Sequence, residues 1–419
     1  MRGIIRSAIG VAFVSVDSVG LVALPAVVTV IAVGAAAVAA QETTAVVADG
    51  PPIWGSSPAL VEEARIGTLM GEAEYAFGRV GGLVVAGDGT IWVSDIQLGA
   101  VRRYTADGVF IDQIGRKGEG PGEFETPVNM RVLPDASVVV WDYGLIRVTR
   151  FDASGAYVDS FTPPTHMIAW DIEELEVDPR GDLFLMGSNL PERTPEGPFR
   201  LRPFWIRMRS DGEVLDSVRL LPSSLEGTVD PIRTFTVLSP LGYLVTARND
   251  EYAVELHVDP ERTVRIERPW TPVRYQRAER VEKQRREETF SARNGRPVRE
   301  IPREKRPFSF LHVDSEGRVW VLMHAPGYEE EESPGEQERR EGACEFFAAT
   351  EAECNANIEW WREPVAYEVI EPEGRLLGRV ELPSRQTELM HARERRLWVV
   401  ETGELGEEYV VRYRIEPGG

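Results

Sequence analysis

The sequence repeats a short pattern of apolar runs separated by polar turns. At Asp88-Gly89 one apolar run ends and another begins, and the arrangement returns at Asp135-Ala136. Short β-branched and aromatic runs bounded by turn residues predict β-hairpins. Six such turn-and-strand segments follow one another at 88–95, 135–142, 180–187, 241–246, 316–323 and 394–401.

A second hairpin follows most of these segments. Its turns include Asp107-Gly108, Ser154-Gly155 and Asp211-Gly212. Glycine after Asp or Ser supplies the positive φ that tight hairpin turns require. Each unit is therefore predicted to be a four-stranded meander, and the first two units lie 47 residues apart, close to one propeller blade.

Six units predict an all-β fold, a six-bladed β-propeller of four-stranded antiparallel blades. The sixth unit lacks an evident fourth strand. The segment 64–69 could supply it and so leave no open sheet edge. The expected blades are 80–115, 125–161, 170–220, 234–270, 307–383 and 387–417.

A basic insertion interrupts the rhythm between blades four and five, at residues 271–306. It contains twelve Lys or Arg and six acidic residues. Thr271-Pro272 predicts a helix start and Asn294-Gly295 a stop. Glu279/Lys283 and Glu282/Arg286 have the spacing of helical ion pairs.

An acidic insertion follows at 325–363, within blade five, and a proline-rich loop at 188–204 lies in blade three. Eight glutamates occur between Glu329 and Glu345. Two interpretations stay open for the charged insertions. They are separate solvated loops, or they pack against each other because their charges are opposite and cap one mouth of the channel.

The N-terminus is typical of an exported protein. Residues 1–40 form a positive start, an apolar run and a small-residue end, which predicts a cleaved signal peptide or, alternatively, an uncleaved anchor. We expect a linker at 41–63 and the propeller at 64–419. The predicted location is the periplasm or the medium, with membrane contact only if the segment is uncleaved.

The two cysteines and the overall charge narrow the picture further. Cys344 and Cys354 are the only cysteines, and export into an oxidising compartment predicts a local disulfide between them. The formal charge of −21 argues against nucleic-acid binding and against anionic membrane surfaces.

Residues 115–127, with the sequence Gly-Arg-Lys-Gly-Glu-Gly-Pro-Gly-Glu-Phe-Glu-Thr-Pro, resemble the linker between blades of NHL-repeat propellers. Residues 142–151 continue that pattern, and Asp95 with 101–104 fits it more loosely. The resemblance implies an exported bacterial six-bladed propeller of NHL type. We expect Asp95 and Asp142 to bond backbone N–H groups, and the recurrent tryptophans to pack between blades. These tryptophans are Trp92, Trp141, Trp320 and Trp398.

The innermost strand of each blade is expected to bring polar residues to a central channel. Carboxylate and amide oxygens that converge there could hold Ca²⁺, whereas a water-filled polar channel needs no metal. The sequence contains no phosphate-binding glycine loop, no nucleophile elbow and no His-Glu-x-x-His pair. The channel candidates are Asn129, Arg131, Glu174, Glu176, His312, Glu388 and His391.

These observations favour a non-catalytic binding or scaffold module, monomeric and without a cofactor. Its ligand would be a protein or a small molecule. The binding-surface candidates are Trp360, Trp361 and His324, on or beside the acidic insertion. The alternative is a metal-dependent hydrolase or lyase that uses the channel residues.

Overall fold

The chain folds into six sheets arranged as the blades of a propeller, as the sequence predicts. Each blade has four antiparallel strands, and one further strand extends the sheet of blade four. The computed structural model describes residues 42–164, 175–189, 202–219, 228–346 and 349–418. Glu174 and most of the proline-rich loop 188–204 lie outside these ranges. The bounds of the strands follow in chain order.

Two strands precede the blades, β1 (Glu42–Val47) and β2 (Ala59–Ile66). Blade one contains β3 (Val80–Val85), β4 (Ile91–Asp95), β5 (Ala100–Tyr104) and β6 (Phe110–Ile114). Blade two contains β7 (Pro127–Val132), β8 (Val138–Asp142), β9 (Arg147–Phe151) and β10 (Tyr157–Phe161). Blade three contains β11 (Leu175–Val177), β12 (Leu183–Asn189), β13 (Arg202–Met208) and β14 (Val214–Arg219).

Blade four contains β15 (Thr234–Leu238), β16 (Leu244–Arg248), β17 (Ala253–His257) and β18 (Arg262–Glu267). The helix α1 (Arg277–Asn294) leads to blade five, which contains β19 (Phe308–Val313), β20 (Val319–Met323), β23 (Ala366–Ile370) and β24 (Leu376–Glu381). Its insertion contains β21 (Tyr328–Glu329), α2 (Pro334–Phe346), α3 (Glu351–Ala356) and β22 (Trp361–Arg362). Blade six contains β25 (Thr387–Arg393), β26 (Arg396–Thr402) and β27 (Glu408–Glu416).

The first strand of each blade lies innermost. The first strands of blades one and two contact each other, as do those of blades two and three, four and five, and six and one. Residues on these strands that leave the apolar core therefore face the channel.

Apolar packing between neighbouring blades forms the core. Among the described residues, six clusters of buried side chains are present, one at each of the six interfaces between blades, including the interface that joins blade six to blade one. Each of the four predicted tryptophans belongs to one of these clusters, which confirms their packing role. Trp205 does the same on the third strand of blade three.

A segment before the blades closes the ring and binds two further blades. β2 pairs with β27 and completes blade six, which confirms the expected closure. The predicted linker 41–63 also forms hydrogen bonds with blades four and five. β1 pairs in parallel with β18 as a fifth strand of blade four. Between them, Ile53 N–H donates to Leu376 O at 3.1 Å and Trp54 N–H to Leu377 O at 2.6 Å in blade five. We call residues 42–66 the N-terminal strap.

Acidic residues at the ends of second strands organise the loops, as expected. Asp95 accepts hydrogen bonds from the N–H groups of four residues, two before its blade and two after its strand. Asp142 does the same in blade two with three N–H groups. Asn249 repeats part of this in blade four, because its Oδ1 accepts from Arg233 N–H at 2.7 Å.

The helix α1 begins later than predicted. Its N-cap is Gln276, which forms a capping box with Glu279, and not Thr271. Gly295 ends the helix with a φ of 60°, in the left-handed region, as expected. The predicted disulfide between Cys344 and Cys354 is formed. Among the described residues, no helix has the length and apolar character needed to cross a membrane.

Candidate functional site

Blades two and three bring a charged pair to the channel. Arg131 and Glu176 each occupy the next-to-last position of an innermost strand. Two guanidinium nitrogens of Arg131 donate to the two oxygens of Glu176, at 3.0 and 2.6 Å. A third bond, at 2.6 Å, joins Arg131 to the side-chain oxygen of Asn129. A bidentate pair fixes both charges in one orientation.

Two histidines lie at the same level of the channel in blades five and six. His312 is opposite Trp320 in the strand register, and His391 is opposite Trp398. Burial lowers the pKa of His312 to about 4, although the charge of Glu176 opposes the shift. Burial, with His312 and Arg131, lowers the pKa of His391 to about 3. Both imidazoles are therefore neutral at pH 7.

The next level toward the insertion face combines polar and apolar positions. Phe310 is 42% exposed there, so solvent reaches the channel wall at blade five. Glu388 lies at this level in blade six, and its charge, after burial, raises the pKa of Tyr367. Blade one contributes Gly82, where an added Cβ would lie 3.2 Å from Asn129 Cα. This lack of a side chain lets two innermost strands approach closely.

The channel's suitability for a metal depends on its ligands. Within the described ranges, no group of three or more His, Cys, Asp or Glu side chains has an arrangement that could hold an ion. Glu174, one of the expected oxygen ligands, lies outside those ranges. Glu176 is already engaged by Arg131.

The two charged insertions emerge on the same face of the ring. Residues 271–306 connect the last strand of one blade to the first strand of the next, and 325–363 connect the second and third strands of blade five. In a meander that starts at the channel, both kinds of connection lie at the same end of the strands. We call these two segments together the insertion layer.

Contacts between the two insertions bury charged groups. Glu282, which is 7% exposed, accepts from Trp360 N–H at 2.9 Å. Arg286 donates to Glu359 at 2.7 Å, and Gln276 donates to Gly327 O at 2.6 Å. The insertions therefore pack against each other, as one of the two interpretations expected. The expected helical pairs of Glu279 with Lys283 and of Glu282 with Arg286 give way to these tertiary contacts.

Lys305 is the centre of the insertion layer. Its side chain is fully buried and its ammonium group lies 2.7 Å from Glu279 and 3.0 Å from Glu363. It also donates to Ala325 O at 2.9 Å. Burial opposes ionisation of Glu363, but the hydrogen bond with His324 and the charge of Lys305 outweigh it and lower the pKa of Glu363 to about 2.

The insertion layer is also anchored to the ring on two sides. Arg306 N–H donates to Asp230, in the connection that enters blade four, at 3.2 Å. Toward blade six, Arg385 pairs with Glu336, and Gln386 donates to Ser333 Oγ at 3.2 Å. The layer thus extends from blade four to blade six. Its capping of the channel mouth stays a prediction.

The predicted binding-surface residues have contacts inside the insertion layer. Trp360 and Trp361 are half-buried, and the main chain of Trp360 is bonded to Glu282. His324 is half-buried and bonded to Glu363 at 3.0 Å. The predicted helix of the basic insertion, α1, lies beside them, because its Glu282 accepts the bond from Trp360 N–H.

Comparisons with known proteins show the fold alone. The sequence matches no protein-family model and no curated protein. In structure, the chain is similar to a member of the DUF4221 family from Bacteroides vulgatus, with a TM-score of 0.50, 10% identity, and coverage of 86% of this chain and 99% of that one.

Two further solved structures are more distant. A candidate exported protein from Bacteroides fragilis has a TM-score of 0.46 and 11% identity, and the match covers 89% of this chain and 99% of that one. A virginiamycin B lyase from Staphylococcus aureus has a TM-score of 0.37 and 11% identity, with 84% and 99% covered. These likenesses assign no activity to this chain.

Proposed function

We propose that this chain is an exported, monomeric, non-catalytic binding module that uses the insertion layer as its binding surface. One observation carries the proposal. The two insertions form a single layer whose contacts bury Lys305, Glu279 and Glu282. Solvated loops need no such internal structure.

A surface that is rigid before binding loses less conformational entropy when a partner docks. The disulfide between Cys344 and Cys354 restrains α2 relative to α3 and adds to this rigidity. It also supports export, because structural disulfides persist in oxidising compartments. The propeller ring then acts as a scaffold that holds the layer in place.

The experiment compares retention of envelope components by immobilised protein without the predicted signal peptide, residues 41–419, and by three variants. V281S/Y328S changes two exposed apolar side chains of the insertion layer. F310S changes the channel wall, and V109S is the control on the opposite face. We expect V281S/Y328S to retain about tenfold less of one envelope component than the unchanged protein. The other two variants should retain the same amount as the unchanged protein. Equal retention by all four proteins contradicts the proposal, and a loss confined to F310S moves the site to the channel.

The channel carries the second candidate, a metal-dependent hydrolase or lyase. One observation favours it. His391 Nε2 is buried without a hydrogen-bond partner among the described residues, and a neutral imidazole is a ligand for metals. Calorimetric titration with Ca²⁺ and Zn²⁺ tests this candidate. Saturable binding that H391Q abolishes supports it, whereas heats that are equal in both proteins contradict it.

A further inference from the structure

The helix α1 has an unusual distribution of charge. Its buried face carries Glu279, Glu282 and Glu287, which are 2%, 7% and 5% exposed. All three are neutralised or hydrogen-bonded inside the insertion layer. Glu287, for example, accepts two bonds from the guanidinium of Arg299, at 3.0 and 2.8 Å. Burial opposes ionisation of Glu287, but these bonds outweigh it and lower its pKa to about 2.

Most acidic residues of α1 therefore have partners inside the insertion layer. The exposed face of the helix is basic. Arg277, Arg280 and Arg285 are exposed. Among the described residues, none of the three has a carboxylate within ion-pair distance. Arg280 and Arg285 donate only to main-chain oxygens, those of Ile301 and Ile358.

These three arginines line a groove of about 580 Å³ along α1. The groove also has apolar surface. Val281 is 65% exposed within it, and Tyr275 and Ile301 form part of its lining. Its one acidic residue is Glu288, which is bonded to Gln284 at 2.9 Å. Uncompensated guanidinium groups beside apolar side chains fit a ligand that offers carboxylates and apolar groups together.

We infer that this groove binds an acidic polypeptide segment that carries apolar side chains. The inference rests on the proposed function and names its partner class. The charge of the whole chain is −21, so the rest of the surface repels such a segment and leaves the groove as a distinct local target. Planar guanidinium groups bind carboxylates through paired hydrogen bonds, and Val281 would meet the apolar side chains.

The test uses the mature chain and a fluorescent peptide of about 12 residues, made of glutamate with two phenylalanines. Binding is measured by anisotropy at about 0.05 and 0.2 M salt. We expect R277E/R285E to weaken binding by about tenfold or more. The matched control is R180E, an exposed arginine in a turn on the opposite face, which should change binding less than about twofold. Thermal unfolding of each variant shows that the fold is retained.

Two outcomes would overturn the inference. The first is unchanged binding by R277E/R285E, or equal binding of a peptide with glutamine in place of glutamate. The second is equally tight binding of polyphosphate, which would assign the groove to charge alone. Self-association that R277E/R285E abolishes would support an acidic occupant, the stretch 329–345 of a second copy, and would contradict the proposed monomer. The two proposals can fail separately. If the acidic peptide does not bind but V281S/Y328S still retains less of the envelope component, the inferred partner class is wrong and the proposed function stands.

Discussion

Blades one and two differ from blades four to six in how they are held. In the first pair, a buried aspartate at the end of the second strand bonds the loops on both sides, and apolar side chains fill the interface. Blades four to six carry the N-terminal strap on their outer edges and the insertion layer on one face. Apolar packing is common to both groups. Blades one and two add local capping to it, whereas blades four to six add long-range strands and buried charges.

The largest expected effect concerns the strap. Ile66 is 1% exposed in the cluster that joins blade six to blade one. Ile66→Asp should lower the free energy of unfolding by about 3 to 5 kcal/mol, because it places a carboxylate in apolar surroundings. Deleting β1, five of whose six residues are exposed, should cost about 1 kcal/mol or less. Urea unfolding followed by circular dichroism measures both, and similar losses would show that the ring depends on both strap strands equally.

The second prediction concerns Lys305. Lys305→Met leaves the buried Glu279 and the half-buried Glu363 without their cation, and should destabilise the insertion layer by about 3 to 5 kcal/mol. Lys117 pairs with Glu125 at 3.2 Å but is 54% exposed, so Lys117→Met should cost less than about 1 kcal/mol. Proteolysis at 325–363 together with urea unfolding measures the difference. A stable layer in Lys305→Met would mean that apolar contacts hold it.

The third prediction concerns the capping aspartates of the regular blades. Asp142→Ala leaves three N–H groups without their acceptor and should cost about 1 to 3 kcal/mol. Asp142→Asn should cost about half as much, because Asn249 accepts the equivalent bond through its amide oxygen. Thermal unfolding of both variants measures this. Equal losses would show that the negative charge, and not the hydrogen-bond pattern, is required.

At pH 7 the smallest effect concerns the channel histidines, because their effect on stability grows only as the pH falls below about 6.5. In the unfolded chain both take up a proton as the pH falls through about 6.5, whereas in the folded chain they do so near 4 and 3. The unfolded state binds more protons in this window, so stability falls with falling pH by up to about 1.4 kcal/mol per pH unit for each histidine. H312Q/H391Q should flatten the dependence of urea unfolding between pH 6.5 and 4. An unchanged slope would place the responsible groups elsewhere.

The fold could be predicted further than the site. The turns at Asp88 and Asp135 and the linker at 115–127 encode local structure, so the hairpins and the six blades follow from neighbouring residues. The predicted start of α1 was wrong. Thr271-Pro272 has the local features of a helix cap, but the helix begins where Gln276 and Glu279 can form hydrogen bonds within the insertion layer. Local propensity cannot weigh contacts with residues 50 or more positions away.

The strap shows the same limit. The segment 64–69 was identified because blade six lacked a strand, which is a counting argument. No missing strand predicts the strand at 42–47, because blade four already has four strands of its own. Its pairing depends on the free outer edge of β18, which lies far away in the sequence.

By itself, the sequence determined the repeat, the six blades, the capping aspartates and the disulfide, because each depends on nearby residues or on a simple period. Only the tertiary structure decided which charges of the two insertions are buried together and which remain exposed. Opposite charges attract without strong directional preference over distance, so composition could suggest that the insertions meet but not their partners. The choice of Lys305 for the interior, and of Arg277, Arg280 and Arg285 for the groove, follows from the position that blades four to six give to α1.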